Sequence, residues 1–176
     1  RGLVMAATYE PIASTTLGSD AANVEFSSIA SSWTDIIVVA VGQSAGAGTG
    51  ADNLEIRVGN GSLDTGSNYS RTQLQGNGSS AASSRAASQT TIRASGFFPR
   101  ASDSGTNPGI AMAHIMSYTN TNVYKTVLTS ATGTLYVDRR VHLWRSTSAI
   151  DVVRVYCTST NLKAGTTVSL YGILAA

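Results

Sequence analysis

Residues 141–174 constrain this chain more than any other stretch, because they read as one strand, a short turn and two further strands with nothing helical between them. Within residues 152–157, Val153, Val155 and Cys157 alternate with Val152, Arg154 and Tyr156. Beyond the turn Asn161-Leu162-Lys163-Ala164-Gly165, the row Val168, Leu170, Gly172 and Leu174 alternates with Thr167, Ser169, Tyr171 and Ile173. Successive side chains on a strand point to opposite faces, so each run can lay one row on a core. A sheet that includes these strands is expected to need the last of them to close.

The rest of the chain follows the same pattern. Residues 9–14 are broken by Pro11, which suits an arm or edge strand. Val24 and Phe26 alternate with polar neighbours, and Leu54, Ile56 and Val58 are expected inward with Glu55 and Arg57 outward. Residues 36–41 are apolar throughout, so that strand wants cover on both faces, from a loop or from another subunit. Residues 43–52 read as a flexible loop. Gly59-Asn60-Gly61, Asp64-Thr65-Gly66 and Gly76-Asn77-Gly78 are turn chemistry flanking a strand at 69–74. Residues 79–88 are Ser/Ala-rich with no apolar stripe to dock a helix, and a loop is expected there. Residues 89–93 suit a short strand, and 96–108 a loop carrying Phe97 and Phe98. Residues 110–118 place Ile110, Met112, His114, Met116 and Tyr118 on one face, with Ala111, Ala113 and Ile115 on the other. After a turn at 119–122 and a strand at 124–129, residues 135–144 carry Leu135, Val137, Val141 and Leu143 on one face, interrupted by Arg139. Ten or eleven short strands without βαβ alternation predict an all-β fold, an antiparallel β-sandwich of jelly-roll-like type. The expected organisation is an N-terminal arm at 1–8 and a single β-sandwich domain at 9–176.

Composition narrows the function classes. Only 12% of residues are charged and the net charge is +2, against roughly 25% charged in an ordinary soluble domain. Arg139-Arg140 is the only adjacent basic pair, so no nucleic-acid partner is expected, and no apolar run is long enough to predict a membrane span. The single cysteine, Cys157, rules out an intrachain disulfide and reads as a small buried residue. The first seven residues are too short in apolar content for a signal peptide, so secretion is not indicated.

Chemical motifs are sparse. His114 and His142 stand on predicted strands without a carboxylate or cysteine at metal-ligand spacing. Of ten scattered carboxylates, Asp35 and Asp138 are the best candidates for a glycosidase pair. No Gly-x-Ser-x-Gly elbow is present, and Gly46-x-Gly48-x-Gly50 lacks a following helix and a Walker lysine. The Asn-x-Ser sequons at Asn60, Asn68 and Asn77 coincide with turns. Trp33, Trp144, Tyr118 and Tyr124 read as core or interface rather than ligand platforms. No catalytic residue, cofactor or metal site is predicted.

The segment Ala7-Thr8-Tyr9-Glu10-Pro11-Ile12-Ala13-Ser14-Thr15-Thr16-Leu17-Gly18-Ser19 resembles the opening of small structural proteins of tailed bacteriophages. Phe26-Ser27-Ser28-Ile29, the Val58-Gly59-Asn60-Gly61 and Gly66-Ser67-Asn68-Tyr69-Ser70 turns, Leu143-Trp144-Arg145-Ser146-Thr147-Ser148-Ala149-Ile150 and Leu170-Tyr171-Gly172-Ile173 extend the resemblance. It implies a non-enzymatic virion component of capsid-decoration type, contacting the major capsid protein. The alternative is a tail-fibre head domain binding a host surface glycan. Few charges, small side chains and the doubly apolar strand predict a homotrimer. Leu3, Val4 and Met5 of the arm, with Phe97, Phe98 and Arg100 from the segment where the resemblance lapses, are the candidate partner or assembly contacts.

Overall fold

The computed structural model describes residues 9–105, 107–133 and 135–174. Its strands are Glu10–Thr16 (β1), Val24–Phe26 (β2), Asp35–Gly42 (β3), Ala51–Asn60 (β4), Ser62–Leu63 (β5), Tyr69–Gly76 (β6) and Ala81–Gln89 (β7). Ile92–Pro99 (β8), Gly109–Ile115 (β9), Lys125–Thr132 (β10), Val137–Trp144 (β11), Val152–Cys157 (β12) and Thr167–Ile173 (β13) follow, with one helical turn at Ala101–Ser104 (α1). Eight strands form one sheet in the order β1-β13-β3-β9-β10-β11-β6-β7. The second sheet runs β2-β12-β4-β5, with β8 also paired to β4. All the strand pairings are antiparallel. The chain is an antiparallel β-sandwich, and its first four strands and last two alternate between the sheets in a jelly-roll-like winding.

The tail does what its alternation demands. Leu170 lies opposite Val38 and Val168 opposite Ala40, and all four are buried. They face Val153 and Val155 of β12 and Leu54, Ile56 and Val58 of β4 across the core. Leu174 falls past the end of β13 and is exposed rather than inward. The Pro-broken strand is an edge strand, with a register shift between Pro11 and Ala13. It is tied down from outside its ladder, because the Trp33 indole donates to Glu10 Oε2 at 2.8 Å. The Trp33 ring lies directly on Gly172, where a Cβ would stand 2.2 Å from Trp33 Cγ. Only glycine lets the ring reach the sheet.

Further expectations are corrected. Residues 79–88 are not a loop: β7 pairs with β6 along its length, and the Asn77 side chain accepts from the Ser79 and Ser80 amides at the turn between them. Residues 96–108 are not all loop, since β8 runs to Pro99 and α1 follows. The 43–50 segment is a loop but is stapled, with Ser102 Oγ donating to the Gly46 and Gly48 carbonyls at 2.9 Å. The strand at 110–118 stops at Ile115, because Ser117 takes φ +48° and its amide donates to Asp35. In the case of Glu55, the side chain sits on the outward side of its sheet yet is buried, covered by Thr91 and Arg93.

Candidate functional site

The most consequential strand is β11, and it is oriented opposite to its hydrophobic pattern. Val137, Arg139 and Val141 face outward, while Asp138, Arg140, His142 and Trp144 face the other sheet. Asp138 and Arg140 form an ion pair at 3.0 Å with both side chains 1% exposed. The Arg140 guanidinium also donates to Gln73 Oε1 at 3.2 Å and to the Arg93 carbonyl at 3.0 Å. Gly96 makes room for it, since a Cβ there would lie 2.6 Å from Arg140 Nη2, and the Gly96 amide donates to Asp138 Oδ2. Burial pushes the Asp138 carboxyl above the usual range, against the pull of Arg140. His142 is drawn down to about 3 by burial and then by the charges of Arg140, Arg71 and Arg93. The Cys157 thiol, buried at the end of β12, is pushed up to about 12 by burial and nearby carboxylates. These groups are closed off from solvent, and a neutral imidazole and an intact thiol are the forms present near neutral pH.

The depressed His142 has a consequence for stability. From pH 6.5 down to about 3 the unfolded chain binds a proton on this residue and the folded chain does not. The stabilising contribution is therefore complete above pH 6.5 and lost on acidification, by about 1.4 kcal/mol per pH unit. Asp138 works the other way, since a raised carboxyl pKa favours the folded state as pH falls. Comparing unfolding free energies of the wild type and His142→Leu between pH 7 and 4.5 isolates the histidine: the variant should show the flatter slope. Parallel slopes would show that His142 is not buried neutral.

Asp35 stands on the outward side of β3, its carboxylate bonded to His114 Nε2 at 2.7 Å and to the Ser117 amide at 2.7 Å. Asp138 points into the sandwich from β11. The two carboxylates thus lie on opposite faces of the eight-stranded sheet and cannot flank one glycosidic bond. Among the described residues, no three His, Cys, Asp or Glu side chains gather where they could hold a metal ion.

The predicted contact residues divide. Leu3, Val4 and Met5 lie outside the described residues. Phe98 is wholly buried in the core and is not available to a partner. Arg100 pairs with buried Asp52 at 2.9 Å and donates to the Ala47 and Thr49 carbonyls, so it fastens the 43–50 loop to β4. Phe97 stacks on Tyr136 with ring centroids 3.7 Å apart, and the pair borders a cleft of about 320 Å³ with Pro99, Asp103 and Leu135. Tyr136 has no distinguishing pattern in the sequence, so its place beside Phe97 emerges only from the fold.

A larger feature is the outward face of the eight-stranded sheet. One row across it carries Val41, Ile110, Thr132 and Val137; the next carries Val39, Met112, Ser130, Arg139 and Leu74. A third carries Ile37, His114, Leu128, Val141 and Thr72. Val137, Leu74 and Val141 are 60, 59 and 51% exposed. The apolar pattern of residues 135–144, legible in the sequence, marks this open face and not the core. The comparisons add no relative: neither a protein-family model nor a curated protein matches the chain.

Proposed function

We propose that this protein is a non-enzymatic structural component on the outside of a tailed-phage virion, of capsid-decoration type, assembling as a homotrimer beside the major capsid protein. The observation that carries the reading is the open apolar face of the eight-stranded sheet, which suits a protein that works by being packed against others. The withdrawal of Asp138, Arg140, His142 and Cys157 into the interior supports a structural role for them. The resemblance of residues 7–19 and the later turns to phage structural proteins supplies the virion setting. The test is quantitative mass spectrometry of purified particles of the source phage. Hundreds of copies per particle are expected, and absence from the particle would overturn the assignment.

A second reading, a tail-fibre head binding a host surface glycan, is favoured by the cleft beside Phe97 and Tyr136, where an aromatic pair adjoins the Asp103 carboxylate. A few dozen copies or fewer per particle, with glycan binding lost in Tyr136→Ala, would select it.

A further inference from the structure

We infer that the outward face of the eight-stranded sheet is the surface through which copies of this chain bind one another, an inference that rests on the self-assembly proposed above. Residues 36–41 were expected to need cover on two faces from a loop or a subunit. Ile36, Val38 and Ala40 are covered by the opposite sheet, whereas on the other face Ile37 is covered by its neighbours, Val39 is half-buried and Val41 is exposed. The neighbouring strands continue this exposure. On β9 the larger side chains, Ile110 and Met112, are the exposed ones while Ala111 and Ala113 are buried, and on β10 Leu128 is exposed.

Size and charge both fit a second copy. The rows named above span five adjacent strands, β3-β9-β10-β11-β6. At about 4.8 Å between strands and about 6.8 Å between alternate residues, three rows on five strands make a surface of roughly 24 by 20 Å, about 480 Å², more than half of the ~800 Å² that one partner contributes to a standard interface. Exposed apolar side chains stand on each of these five strands, with Ser130, Thr132 and Thr72 between them. Its charges stand at opposite sides: Asp35 with His114 toward β3, Arg139 toward β11, and Arg85 on β7 beyond. When the β3 side of one copy meets the β11 side of another, unlike charges come together.

Light scattering with sedimentation velocity on the full chain at micromolar concentration tests this. The wild type should have a mass at least twice the 18.2 kDa of the single chain. Leu128→Glu and Val141→Glu should each lower it to that of the single chain while keeping the β circular-dichroism spectrum, since both positions are solvent-facing in the isolated sandwich. Val123→Glu, on an exposed apolar residue between β9 and β10, should leave the assembly unchanged. A monomeric wild type would overturn the inference. So would an assembly that survives both face variants, or one that dissociates on removal of residues 1–8 but not with the face variants. The particle assay is independent of all these outcomes, so loss of the self-contact and loss of the virion role are separable.

Discussion

Replacing Arg140 by alanine is expected to lower the unfolding free energy by about 3–5 kcal/mol, the range for breaking a buried ion pair from one side. The loss has identifiable parts. Asp138 would remain 1% exposed without its cation and would have to stay charged and unpaired or take up a proton, and the Arg93 carbonyl and Gln73 amide would each lose a donor. An unsatisfied polar group in such a place costs more than the hydrogen bond contributed when made. The double variant Asp138→Leu with Arg140→Met should cost clearly less than Arg140→Ala alone, because it removes both charges and keeps the volume. Urea denaturation of the three proteins measures this. A loss below about 1 kcal/mol for Arg140→Ala would mean that the pair is solvated and that β11 does not turn its charges inward.

A glutamate at Val38 should destabilise the chain by several kcal/mol, whereas a glutamate at Val141 should change the stability of the single folded chain by less than about 1 kcal/mol. Both are valines on strands of the same sheet, and hydropathy does not separate them. Val38 is 1% exposed against Leu170 and the opposite sheet, while Val141 is 51% exposed on the outer face. Ile37 occupies the outer side of β3 but is nearly covered by its neighbours, so a charge there is expected to cost more than at Val141. Melting curves at low protein concentration, where assembly is absent, provide the comparison. Equal losses at Val38 and Val141 would remove the distinction between inner and outer faces on which the assembly surface depends.

Much of the architecture was readable in the chain because period-two alternation is a property of the strand itself. The tail strands, β2, β4, and the Pro11 edge strand all lie where their patterns place them, and the expected sandwich follows from their number and spacing. The two-residue β5, the whole of β7 and most of β8 were not readable. In β7, Ala and Ser side chains bury little surface, and its existence depends on backbone hydrogen bonds to β6 that no local pattern records. Likewise β8 carries Phe97 and Phe98, with Arg100 just past its end, through what looks like a loop, and only pairing with β4 shows that these three side chains go to a cleft, the core and a carboxylate respectively.

The sequence by itself determined that β9 and β11 have two unlike faces; which face turns inward was decided by the tertiary structure. Alternation sorts side chains into two rows, but burial depends on what stands opposite each row. On β9 the row of Ala111, Ala113 and Ile115 is the one that fits beneath the second sheet. On β11 the charged row goes inside because its partners wait there: Gln73 lies 67 residues before Arg140 and Arg93 lies 47 before it. Such long-range satisfaction makes burial of an ion pair tolerable, and it is invisible in any window along the chain. The same inversion leaves the aliphatic row in water, where it becomes a surface that another copy can cover.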